Sequence, residues 1–97
     1  MRKITKDAVE AFNNNFNFKR DNTQVVVNEG LTVLVLHGNV IATKSPDTGG
    51  VCISNGGWSS NTTKERLNGL DGVSICQRKG VWYLNGKEWD GRVIQIK

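Results

Sequence analysis

Long apolar runs are missing from this sequence, and so are most of the residues that make and break bonds. The longest apolar-rich stretch, Leu31 to Leu36, is far too short to cross a bilayer. Met1-Arg2-Lys3 leads into polar Ile4-Thr5-Lys6-Asp7 with no apolar segment behind it, so no secretory leader is expected. There is one proline, Pro46, and one histidine, His37, which its neighbour Gly38 places in a turn. A lone turn histidine has no obvious partner for acid/base work. The two cysteines, Cys52 and Cys76, stand far apart in strand-like runs, without the close pairing of a zinc knuckle or a redox motif. They read as buried thiols in a reducing compartment. The acidic residues are scattered; Glu88 and Asp90 flank Trp89 and are expected on opposite faces of a strand. Together these absences argue against an enzyme, a metal centre and a bound cofactor.

What remains is enough for one folded domain. The 97 residues suit a single domain over 1–97. Apolar residues form short runs punctuated by Gly and Asn, the pattern of a folded chain. The formal net charge of +4 raises the prospect of polyanion binding.

Thr5 is placed as an N-cap, with Ile4 and Val9 as a hydrophobic staple. Ala8, Val9, Phe12 and Phe16 follow at helical spacing, and Asn13-Asn14-Asn15 is a stop signal. Phe16 and Phe18 are expected to fold back onto a sheet. Strands are expected over 23–27, 31–36, 40–43 and 51–54, with Glu29-Gly30 and His37-Gly38-Asn39 as turns and 44–50 as a loop. Thr62 and Glu65 have capping-box spacing, which starts a second short helix ending near Asn68. Strands are then expected over 73–77, 81–84 and 92–96. Asn85-Gly86 is the strongest hairpin signal. Its two-residue turn sets Leu84 opposite Lys87, Tyr83 opposite Glu88 and Trp82 opposite Trp89. The fold class is therefore α+β: an antiparallel sheet of short meander strands, with an N-terminal helix and a second short helix.

One segment stands out as a binding candidate. Asn55-Gly56-Gly57 bends into Trp58, Ser60, Thr62 and Thr63, followed by Lys64 and Arg66. Hydroxyls, backbone amides and cations at a helix start would favour an anion, and Trp58 could stack on a base. Equally, the helix could be an ordinary capped one, with Trp58 packed in the core. No glycine precedes the lysine, so the loop is not of the Walker type. The cations of the chain fall in small groups around Arg2, Lys19, Lys64 and Arg78.

Three stretches, Val33–Ala42 (VLVLHGNVIA), Gly57–Asn68 (GWSSNTTKERLN) and Lys79–Gly91 (KGVWYLNGKEWDG), carry a resemblance to a family of small tailed-bacteriophage proteins. The resemblance supplies a setting and brings no site residues with it. It implies an accessory protein acting in the host bacterial cytoplasm, binding a host protein and blocking a defence system. A nucleic-acid or nucleotide binder and a minor virion or assembly protein are the alternatives. No membrane partner is expected. Oligomeric state is open: an edge strand over 92–96 could pair two copies into a homodimer.

Overall fold

Short hairpins with glycine at the second turn position organise most of the chain. The computed structural model describes residues 2–97, which form two helices and nine strands. In chain order these are α1 (Lys3–Asn14), β1 (Phe18–Arg20), β2 (Thr23–Asn28), β3 (Leu31–Leu36), β4 (Asn39–Lys44), β5 (Val51–Ile53), α2 (Asn61–Leu67), β6 (Ile75–Arg78), β7 (Val81–Leu84), β8 (Lys87–Glu88) and β9 (Ile94–Gln95). Strands pair antiparallel throughout, in a six-stranded sheet of order β1-β2-β3-β4-β5-β9 and a three-stranded sheet of order β6-β7-β8. This is the α+β meander that the hydrophobic patterning points to.

Four of the two-residue connections end in glycine: Glu29-Gly30, His37-Gly38, Lys79-Gly80 and Asn85-Gly86. Both residues of each have positive φ, the geometry that matches the twist of the flanking strands. The last of them gives the expected register, with Leu84 opposite Lys87 and Tyr83 opposite Glu88. Beyond the strand the Trp89 amide still donates to the Trp82 carbonyl at 2.9 Å, and the two indoles lie 6.1 Å apart, tilted by 39°.

Helix α1 buries Ile4, Thr5, Ala8, Val9, Ala11 and Phe12 along one face, against β2 and β3. It starts two residues before the expected cap. Arg2 holds the cap position without a side-chain hydrogen bond, and Thr5 is fully buried inside the helix. The helix ends at Asn15, in the left-handed conformation that asparagine tolerates. The ammonium of Lys44, on β4, then donates to the carbonyls of Phe12 and Asn13 at 2.7 and 2.9 Å, satisfying the last turn. Desolvation by burial and the charge of Lys97 hold Lys44 below its ordinary pKa. Phe18 packs against the core, but Phe16 is 64% exposed: the left-handed turn at Asn15 carries it outward.

A bulge in the β3–β4 pairing leaves Ile41 without a partner, so Ile41 and Ala42, although adjacent, are both buried. Residues of both sheets and both helices join one hydrophobic cluster, from Phe12, Leu34 and Ile53 to Leu67, Ile75, Trp82 and Trp89. Gly69 is where the helices meet: a Cβ there would lie 2.7 Å from Thr5 Cγ2 and 2.8 Å from Val9 Cγ2.

Candidate functional site

The segment from Asn55 to Thr63 forms one wall of a cleft. Its opposite wall is the β3–β4 turn. The cleft measures about 470 Å³ and is lined by Leu36, His37, Asn39, Ile41, Asn55, Trp58, Ser60, Thr62 and Thr63. That volume falls in the range of about 300–1,000 Å³ typical of ligand pockets. Leu36 and the bulged Ile41 make a buried apolar floor.

Trp58 is 68% exposed, so it does not pack into the core. Its backbone is nevertheless tied. The Asn55 amide donates to the Gly91 carbonyl at 2.9 Å, and the Asn55 carbonyl accepts from the Trp58 amide at 3.1 Å. The Asn55 side chain accepts from the Gly57 amide at 2.8 Å and donates to Ser59 Oγ at 3.1 Å. Gly56, at φ +66°, lies so close to β4 that a Cβ would sit 3.0 Å from Asn39 Cβ and 3.1 Å from Ile41 Cγ2. The loop is thus pinned at its base while the indole at its tip faces solvent. Exposing so large an apolar ring costs solvation free energy without a folding return, which is a reason to suspect binding.

The helix start differs from the expected box. Ser60, not Thr62, is the N-cap: its hydroxyl accepts from the Thr63 amide at 3.1 Å and meets the Thr63 hydroxyl at 2.9 Å. Thr62 takes no part in that cap and stands half-buried on the cleft rim. Glu65 is drawn away to Arg66 at 2.9 Å and to the Thr5 hydroxyl.

The two cations of the segment do not reach the cleft. Arg66 is 2% exposed. It donates to Thr23 Oγ1 at 3.0 Å, Thr5 Oγ1 at 2.8 Å and Glu65 at 2.9 Å. Burial lowers its pKa, and the Glu65 carboxylate counters the shift. Lys64 turns outward to Gln77 Oε1 on β6 at 3.1 Å. Of the six expected binding residues, Trp58, Ser60, Thr62 and Thr63 converge, while Lys64 and Arg66 serve the fold. An anion site at this short helix is left without a cation and with its cap already filled.

His37, Asn39, Asn55, Leu36 and Ile41 belong to the cleft and were not apparent as site residues from sequence. The β3–β4 and β4–β5 registers bring the first two beside Trp58, and register is set by long-range pairing. Arg66 reaches His37 through a relay. Thr23 takes the Arg66 Nε–H and donates to Asn22 Oδ1 at 2.9 Å. That fixes the Asn22 amide, whose Nδ2 faces His37 Nε2 at 3.2 Å. The His37 ring is thus held on its Nε2 side by Asn22.

Three other expectations change. Cys76 is exposed on the edge strand β6 and Cys52 is half-buried; both are free thiols, so neither is a sealed core residue. Glu88 and Asp90 are not parted to opposite faces: both line one cleft with Trp82 and Trp89, and the strand ends at Glu88. Strand β9 is an outer edge of the large sheet, but only Ile94–Gln95 pair, with Val93 exposed beside them. Among the described residues, no three His, Cys, Asp or Glu side chains are grouped to hold a metal, and no helix is long and apolar enough to cross a membrane.

Comparison with known families gives the setting. The family model described as "Kyanoviridae Gp96 protein" matches residues 1–95. The chain belongs to this phage protein family. No curated protein and no solved structure matches it. The family assignment agrees with the bacteriophage origin implied by the three sequence stretches.

Proposed function

We propose that this phage protein is a non-enzymatic accessory protein that acts in the infected bacterium by binding a host target, and that the Trp58 cleft is its recognition element. The observation that carries this reading is the pairing of an anchored loop with an exposed tip: Asn55 ties the backbone on both sides, yet the Trp58 ring faces solvent over an apolar floor. A rigid exposed tryptophan loses little conformational entropy on binding and buries a large area, the reason tryptophan dominates binding hot spots. Blocking a host defence complex is the accessory task that fits such adhesion.

Nucleic-acid binding along the phosphate backbone receives less support. It would draw its affinity from cations near the stacking ring, and Lys64 and Arg66 are engaged elsewhere.

The test is affinity capture from infected-host lysate treated with nuclease, comparing the wild-type chain with Trp58→Ala and with Arg78→Ala, a β6 residue that does not line the cleft. A target retained by the wild type and Arg78→Ala, and lost by Trp58→Ala, supports the reading. Equal capture by all three chains would sink it.

A further inference from the structure

The walls of the cleft define a class of ligand. None of the nine lining residues carries a fixed charge. In the adjoining cleft across His37, Lys19 and Asp21 offer opposite charges. An ionic group would therefore lose its hydration here and gain no counter-charge. A purely apolar ring fits poorly too, because it would desolvate the Thr62 hydroxyl, the Asn39 amide and the His37 imidazole on the rim. A planar ring with hydrogen-bonding edges satisfies both conditions. Its face would lie on Trp58, its underside over Leu36 and Ile41, and its edge toward Thr62, Asn39 and the His37 imidazole.

The geometry points to a site for an uncharged nucleobase, taken as the free nucleoside. This rests on the Trp58 cleft being the recognition element, and it names the chemical group recognised there. Aromatic stacking supplies most of the affinity, as it does where proteins hold unstacked bases. The rim groups choose the ring by its edge. The sugar projects through the open side of the cleft, and no phosphate is required.

The experiment titrates adenosine and uridine into the full chain by calorimetry and by quenching of Trp58 fluorescence. Saturable binding of at least one nucleoside is expected, with the same affinity at low and high salt. Trp58→Ala should weaken it by about tenfold or more, the effect of removing one stacking ring. Trp58→Phe should recover part of the loss, and Thr62→Val should weaken one nucleoside more than the other. Circular dichroism checks that each variant is folded. Absence of saturable binding overturns the proposal. So does tighter, salt-sensitive binding of the nucleoside monophosphate, which would reveal a phosphate site, and so does binding of single-stranded oligonucleotides with none of nucleosides. If nucleosides fail to bind while Trp58→Ala still loses the captured host target, the ligand class is wrong and the recognition surface stands. If nucleosides bind and Trp58→Ala leaves host capture unchanged, the host-target reading fails and the nucleoside site stands.

Discussion

Arg66 Nε donates to the Thr23 hydroxyl at 3.0 Å, joining α2 to β2 across 43 residues of chain. The same guanidinium reaches Thr5 on α1. One charged side chain thus ties together both helices and the large sheet. Removing it leaves Thr5 and Thr23 facing an apolar void. Arg66→Ala is expected to cost about 2–3 kcal/mol, from lost packing and lost hydrogen bonds to Thr5 and Thr23, while the partly exposed Glu65 can rehydrate. Arg66→Lys should recover only part of this, since an ammonium cannot address Thr5 and Thr23 with the same fork. Urea denaturation read by circular dichroism measures both. A loss below about 1 kcal/mol for Arg66→Ala would place the residue in an ordinary surface role.

Trp58 and Trp82 are predicted to separate cleanly. Trp82 is buried against Trp89 and Leu84 in the common core, so Trp82→Ala should lose about 3–5 kcal/mol. Trp58 has no such packing, and Trp58→Ala should fall within about 0.5 kcal/mol of the wild type. Acrylamide should quench a fluorescence component that vanishes in Trp58→Ala. Equal destabilisation by the two changes would mean that Trp58 holds the fold together.

Asp7 predicts the acid side of the stability curve. Hydrogen bonds from Arg20 and Lys3 hold its carboxyl below the ordinary value. A depressed folded-state pKa contributes stability above the unfolded value, near pH 4, and that contribution disappears as the pH falls through the lower folded value. The carboxylate is only half-buried, so the effect should be small and should shrink in high salt. Thermal melts from pH 6 down to pH 2 should fall less steeply for Asp7→Asn than for the wild type. Identical slopes would show that the Arg20 and Lys3 contacts carry no linkage.

The contrast between hairpins and site shows how much a sequence of this kind reveals. Asn85-Gly86 fixed its register because a two-residue turn is a local object with one geometry. Both ends of β3 were legible for the same reason, and apolar periodicity marked helix α1, although it starts two residues before the expected cap. Arg66 was not. In Lys64-Glu65-Arg66 it looks like a surface cation, and only the docking of α1 and β2 around it makes it a buried strut. Thr62 and Glu65 have the spacing of a capping box, but Arg66 and Thr5 compete for the Glu65 carboxylate and Ser60 takes the cap. Trp58 could be core or surface from its neighbours alone. Its exposure follows from the Asn55 and Gly91 tie, a contact between two loops that no local pattern encodes.

That tie supplies the last prediction. Gly91 has φ +89°, and a Cβ there would collide with the side-chain amide of Asn55. Gly91→Ala must therefore absorb a backbone conformation that L-residues avoid and also displace Asn55. Gly72 is the control, since its φ is +80° and a Cβ there meets nothing within 4 Å. Gly72→Ala should cost only the backbone strain, about 1–2 kcal/mol. Gly91→Ala should cost more, about 2–4 kcal/mol, the added part coming from the displaced contacts. The two changes should also differ at the cleft. Asn55 orders the loop that carries Trp58, so the indole should gain motion in Gly91→Ala and keep its wild-type fluorescence anisotropy in Gly72→Ala. If both variants lose equal stability and Trp58 stays fixed in each, then Asn55 does not anchor the loop that carries Trp58. Trp58 must then owe its position to contacts other than those of Asn55.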